Sequence, residues 1–330
     1  MRRGDGWYRA VARPAFFALP PEASHRLATA LLGLPLPWER IGGAADHPLP
    51  PVDLCGITLS NPIGLAAGFD KTCRRLDALG RVGFGFVVGG TITRSSRAGN
   101  PKPRIVRSTE RSAIVNSMGL PNPGADVAAA NLASRPRTAP RLVSVADESI
   151  EDATTTLELL APLVDGIELN ASSPNAPWRH DPSHLSALLG AFRARTTKPV
   201  LLKVPPFTSD EERATVSALA RKAVEAGAAG LVCSNTIPVE ESRLAAGRGG
   251  LSGGPLTDLT PRIVEHVAAA TGAAVPIVAC GGVFTADDVR RCLDAGARAV
   301  ELYTGLIYRG PRIVGDLTSA LTRNRDERAG

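Results

Sequence analysis

The sequence predicts an α/β protein: a closed (β/α)8 barrel preceded by a short helical extension. Three observations carry that expectation. From about residue 60 onward, short apolar runs alternate with longer amphipathic ones. Each apolar run gives way to a small or polar group, and the first 48 residues follow neither rule.

The apolar runs fall at 62–67, 84–88, 142–145, 167–169, 200–204, 231–233, 276–279 and 299–302. Amphipathic stretches lie between them, among them 150–163, 184–195, 210–226, 261–270 and 286–295. Short buried strands followed by helices read as βα units of a parallel sheet. Eight units favour a barrel over an open sheet, a choice that periodicity alone does not make. The groups that end the runs are Ala67 with Gly68, Thr91, Ser144, Asn170, Lys203, Ser234 to Thr236, Gly281 with Gly282, and Tyr303 to Gly305. In a parallel barrel all strand ends open on one face, so these groups would ring a single polar cup.

The opening segment holds Trp7, Tyr8, Phe16, Phe17 and Trp38, five of the chain's 14 aromatics. Pro21-Glu22 is a good helix opening, because Pro suits the first turn and Glu the positive end of the dipole. Ala23, Leu27, Ala30, Leu31 and Leu34 then share a helical face. Prolines at 35, 37, 48, 50 and 51 punctuate a linker. The division expected is a helical extension over 1–48 and a barrel over 49–330.

Composition narrows the function. The chain has 330 residues, 44% of them hydrophobic, enough for one large core. Its net charge of +6 comes without any basic run or basic–aromatic interleaving, which argues against nucleic acid. Five cysteines, an odd number without CxxC spacing, point to a reduced intracellular compartment. No run of about 18 apolar residues exists, so no span is expected, although attachment to a membrane surface stays open.

Certain groups invite chemistry. Gly281-Gly282 and Thr304-Gly305 suit close backbone approach to a phosphate, or simply tight turns. Only five lysines accompany 33 arginines, and Lys71 and Lys203 sit at strand ends. Lys203 lies in an apolar strand, where an ammonium needs a negative partner: a carboxylate or an anionic ligand ring. The stretch 167–175 places Asn170, Ser172, Ser173 and Asn175 past a buried strand, either around a planar heterocycle or as ordinary turn caps. Asn116 to Leu120, Asn235 and Thr236 add uncharged donors and acceptors. The histidines at 25, 47, 180, 184 and 266 lack ligand spacing, and no metal is expected.

The segments 61–71, 99–104, 116–120, 170–175, 234–236, 249–253 and 303–305 together resemble, in order, the dihydroorotate dehydrogenase family. The resemblance spans roughly residues 50–315 and implies a TIM barrel that binds FMN. It is closest to class 2, the quinone-reducing, membrane-associated branch, on three grounds. Ser173 stands where class 1 carries Cys, 302–308 resembles that branch's ending, and 14–32 resembles its docking helices. Ser117, Leu120, Ser144 and Ala176 depart from that branch, and the first two resemble class 1. A related flavin barrel using fumarate, or another acceptor or pyrimidine, is thus a second expectation; a non-catalytic barrel binding flavin or orotate is a third.

The resemblance implies oxidation of (S)-dihydroorotate to orotate in pyrimidine biosynthesis. Ser173 would take the C5 proton while hydride leaves C6 for the flavin, with Lys203 stabilising the charge that follows. Ala67, Gly68, Thr91, Ser144, Asn170, Lys203, Ser234, Gly253, Gly282, Tyr303 and Thr304 would bind FMN. Lys71, Asn116, Ser117, Met118, Gly119, Leu120, Asn170, Asn175, Asn235 and Thr236 would bind the substrate. A quinone would enter between the N-terminal helices, at the inner face of the cell membrane.

Overall fold

A computed structural model of the chain describes residues 6–171 and 182–329. Its strands run in chain order as β1 (Val52–Leu54), β2 (Ile57–Leu59), β3 (Ile63–Leu65), β4 (Phe86–Ile92), β5 (Ile105–Ser108), β6 (Ala113–Asn116) and β7 (Arg141–Val145). They continue as β8 (Gly166–Asn170), β9 (Val200–Val204), β10 (Gly230–Cys233), β11 (Ile237–Glu240), β12 (Arg248–Gly253), β13 (Ile277–Cys280) and β14 (Ala297–Leu302).

Eight of these close a parallel barrel in the order β10-β13-β14-β3-β4-β7-β8-β9. They are the eight runs expected from the sequence. Each is apolar on both faces because helices cover the outside and neighbouring strands fill the inside. Successive side chains alternate between those two environments. Leu142, Leu201, Val232, Val278 and Ala299 pack together inside, whereas Val143, Leu202, Leu231 and Val300 meet the helices. Two residues farther along, the same inward alternation carries Ser144, Lys203, Ser234, Cys280 and Glu301 towards the top of the barrel.

The floor is closed by the antiparallel β1–β2 hairpin, whose Leu54, Ile57 and Leu59 join the interior cluster. Large and small residues alternate there to fill the taper. Gly64 on β3 faces the Phe86 ring of β4, and a Cβ at Gly64 would lie 2.3 Å from that ring.

The expected helices form, with boundaries set by their caps. Ser209 accepts from the Glu212 amide ahead of Asp210–Glu225, and Thr285 with Asp288 makes a capping box ahead of Ala286–Asp294.

The sequence reading missed a four-stranded antiparallel sheet, β11-β12-β6-β5, inserted on the side of the barrel mouth. Asn116 therefore ends strand β6 rather than sitting in a loop, paired with Gly250 of β12. Those strands are short and only partly buried, and β12 is rich in glycine, so their alternation is faint.

Removing the Phe86 ring should empty the centre of the barrel. Phe86→Ala is expected to cost about 3–5 kcal/mol, read as a lower denaturant midpoint. An unchanged midpoint would mean that the Gly64–Phe86 packing contributes little.

Candidate active site

A cavity of about 1870 Å³ opens at the C-terminal ends of the barrel strands and runs on beneath the N-terminal helices. Nearly all the described residues proposed from sequence line it. Ala67 and Gly68 follow β3, Thr91 is on β4, Asn170 ends β8 and Lys203 is on β9. Ser234, Asn235 and Thr236 follow β10, Gly253 ends β12, Gly282 follows β13, and Tyr303 and Thr304 follow β14. Lys71 and the segment Asn116, Ser117, Met118, Gly119 and Leu120 complete the wall. Ser144 is the exception: it is fully buried behind the wall, its hydroxyl 3.0 Å from that of Thr91. Ser173 and Asn175 lie outside the described residues, as does Ala176.

Hydrogen bonds fix the polar wall. The Asn170 amide donates to the Thr91 hydroxyl at 3.2 Å, extending the chain that begins at Ser144. Ser252 shares a 2.9 Å hydrogen bond with Thr304 and donates to the Ile114 carbonyl, which ties β12 to β6 and to the end of β14. Gly253, Gly281 and Gly282 take φ values of 94°, 105° and 72°, where a side chain is strained. A Cβ at Gly253 would also lie 2.3 Å from the Ser112 carbonyl, and one at Gly282 2.5 Å from the Leu256 backbone.

Two lysines dominate the electrostatics. Lys203 Nζ lies 3.5 Å from Glu168 Oε2 and 3.4 Å from Glu301 Oε2, with all three side chains buried. Burial opposes its charge, but the two carboxylates beside it outweigh that and hold its pKa well above the ordinary value. Burial raises Glu301 to about 7, with Glu168 adding to the effect and Lys203 and the Cys280 hydrogen bond opposing it.

Lys71 makes no ion pair among the described residues and donates to the Gly68 carbonyl. Burial brings it down to about 8, with Arg104 adding to the effect and Asp70 and Glu22 opposing it. A cavity-lining ammonium in that state suits a carboxylate ligand.

Glu168, Glu301 and Cys280 were not proposed from the sequence. A carboxylate in the middle of each of two apolar strands was the available signal, since a buried charge requires a partner.

The far end of the cavity is built by the extension. The helices Arg13–Ala18 and Pro21–Leu31 are pinned to the β5 edge by Arg107. Its guanidinium donates to the carbonyls of Phe16, Phe17 and Leu19 and to the Ser24 hydroxyl, and lies 4.5 Å over the Phe17 ring. Arg104 and Lys102 both pair with Glu22. His25 packs edge-on against Phe69, and burial together with nearby Lys71 lowers it to about 4, so the imidazole facing this end is neutral.

The sequence matches the family described as dihydroorotate dehydrogenase over residues 51–324. The chain belongs to the dihydroorotate dehydrogenase family. It is 37% identical over 335 residues to the dihydroorotate dehydrogenase (quinone) of Novosphingobium aromaticivorans, covering 95% of this chain and 94% of that protein. The protein of the same name from Erythrobacter litoralis is 38% identical over 333 residues, covering 96% and 95%. Among solved structures, DHODH from Eimeria tenella in complex with ferulenol superposes with a TM-score of 0.81 at 28% identity, covering 95% of each chain. The ligand-free enzyme from the same organism gives 0.82 at 29% identity, covering 94% of this chain and 96% of that one. The family match covers the barrel, and the relatives and solved structures cover 94–96% of this chain.

Arg107 is the clamp on the extension. Losing its charged, part-buried hydrogen bonds in Arg107→Ala should cost about 1.5–3 kcal/mol of local stability. Limited proteolysis within residues 6–31 should accelerate roughly tenfold to a hundredfold while the barrel stays resistant. Equal cleavage rates would assign the clamp elsewhere.

Proposed function

We propose that the chain oxidises (S)-dihydroorotate to orotate in pyrimidine biosynthesis, with FMN as its flavin and a quinone as its electron acceptor. One observation carries this reading: a single cavity joins the polar barrel mouth to the gap beneath the N-terminal helices. A donor at the mouth and an acceptor under the helices can then exchange electrons through one bound ring. Relatives named for quinone, matched over almost their full length, support the choice of acceptor.

The residues suit FMN. The side-chain-free backbone at Gly253 and Gly282, with the opening amides of the turn at Thr304, would hold the phosphate. Lys203 supplies the positive charge, and Thr91, Asn170, Ser234 and the backbone at Ala67 and Gly68 offer hydrogen-bonding groups for ring edges. When bound, FMN accepts the two electrons withdrawn from the substrate and yields them to the quinone.

The chain's own residues do the rest. Lys71 holds the substrate carboxylate, while Asn116, Asn175, Asn235 and Thr236 hold the edges of the pyrimidine ring. Ser173, by its place in the motif 170–175, takes the proton from C5. Lys203, itself buried, sets a fixed positive charge where negative charge develops.

Residues 1–48 form the docking extension and 49–330 the catalytic barrel. Among the described residues no helix is long and apolar enough to cross a membrane. Among the described residues the exposed large hydrophobics are Trp7, Val11, Leu19, Leu27, Leu34, Leu36 and Val127, all but the last in the extension. That patch suits a peripheral position on the inner face of the cell membrane.

The purified protein should be yellow, bleached by dihydroorotate and recoloured by quinone. Deleting 1–31, which spares Leu32 and Trp38 in the barrel-side core, separates the two half-reactions. Bleaching should persist while quinone turnover and vesicle binding collapse. Undiminished quinone turnover, or faster turnover with fumarate, would contradict the proposed acceptor site.

The Lys71 charge gives a pH signature. The free ammonium is present below about pH 8 and lost above it, so orotate affinity should fall as pH rises through that value. Lys71→Gln should weaken orotate by about 2 kcal/mol or more and flatten the profile. Flavin absorbance titrations with orotate measure both, and an unchanged profile in the variant would remove Lys71 from the site.

A further inference from the structure

Glu168 on β8, Lys203 on β9 and Glu301 on β14 converge inside the top of the barrel. The ammonium stands between two carboxylate oxygens at 3.5 and 3.4 Å. Lys203 is 5% exposed and each glutamate 1%. With both carboxylates ionised the cluster carries one net negative charge, and burying an uncompensated charge is costly.

Among the described residues no second cation pairs with either glutamate. Cys280 on β13 faces the cluster as a neutral thiol, because burial pushes its pKa far up. Tyr303, past the end of β14, is raised to about 12 by burial and is neutral too. The interior neighbours Ala66, Val88 and Val232 are apolar, and Ser144 on β7 is uncharged. Glu168 Oε1 is buried without a hydrogen-bond partner among the described residues. A bare acceptor beside a second carboxylate adds to the cost of keeping the whole cluster negative.

The conflict sharpens at the ring. A flavin over Lys203 gains negative charge when reduced, and an ionised carboxylate pair behind the lysine opposes that gain. We propose that Glu301 is a positioning residue for Lys203 that takes up a proton as the bound ring gains charge, making flavin reduction proton-coupled through the Glu168–Lys203–Glu301 cluster. One O–H bond forms at the Glu301 carboxylate from one solvent proton, and no residue of the cluster is oxidised or reduced. This inference rests on the flavin site proposed for the barrel mouth.

The sign of the effect follows from charge. Above about pH 7 an ionised Glu301 in the oxidised enzyme disfavours electrons on the ring and lowers its potential. Glu301→Gln is neutral at every pH and keeps the shape of the site.

The test is the midpoint potential of the flavin-loaded enzyme against pH, for wild type and Glu301→Gln. The variant should have the higher potential at about pH 8 and converge on wild type at about pH 6. The oxidised-minus-reduced infrared spectrum of wild type should show a protonated carboxyl appearing on reduction, and the variant should lack it. Should the variant fail to load flavin, the wild-type band decides alone.

Coincident potential curves, curves offset equally at every pH, or a wild-type spectrum without that band overturn the inference while leaving the flavin site intact. A wild-type preparation that binds no flavin overturns the site reading and this inference with it.

Discussion

The ammonium of Lys203, held inside a closed barrel by two carboxylates, is the interaction on which the proposed chemistry depends. An isolated charge at that depth would be neutralised or expelled. It persists because two consecutive strands and a third about 100 residues further on deliver Glu168, Lys203 and Glu301 to the same height. Only barrel closure does that, since β8 and β9 pair directly whereas β14 stands across the interior. The packing of Phe86 into the space left by Gly64, and the hairpin floor beneath, therefore matter to the site although they lie below it.

The extension puts a second constraint on the same cavity. Its helices are not a loose appendage: Arg107 grips their carbonyls, Glu22 reaches Arg104 and Lys102, and the Tyr8 hydroxyl donates to the Ile307 carbonyl. Polar bonds thus fasten the inner side, while Trp7, Val11, Leu27 and Leu34 remain exposed. A helical pair that is polar where it grips and apolar where it is bare fits the peripheral membrane position proposed for it.

Much of this architecture was legible in the sequence. All eight barrel strands announced themselves as apolar runs, because a strand buried on both faces cannot hide its composition. The polar groups ending those runs marked the mouth, and Lys203 stood out as a charge in an apolar strand. The antiparallel sheet beside the mouth did not show, since its strands are brief and β12 replaces side chains with glycines that let Asn116 and Thr236 approach. Glu168 and Glu301 were visible as letters but not as partners: their pairing with Lys203 is a property of closure, which no local pattern encodes. Ser144, read as a cavity group because it stands where an apolar run gives out, is fully buried with its hydroxyl 3.0 Å from that of Thr91. The roles given to Ser173 and Asn175 rest on their motif, because both lie outside the described residues.

The central claim is geometric: one flat ligand pair lies between Lys203 on one side and the Lys71 wall on the other. A crystal structure of the enzyme with FMN and orotate tests it directly. The account predicts the Lys203 ammonium within hydrogen-bonding reach of the flavin ring and the Lys71 ammonium on the orotate carboxylate. Flavin seated elsewhere, or orotate bound with its carboxylate turned away from Lys71, would contradict it.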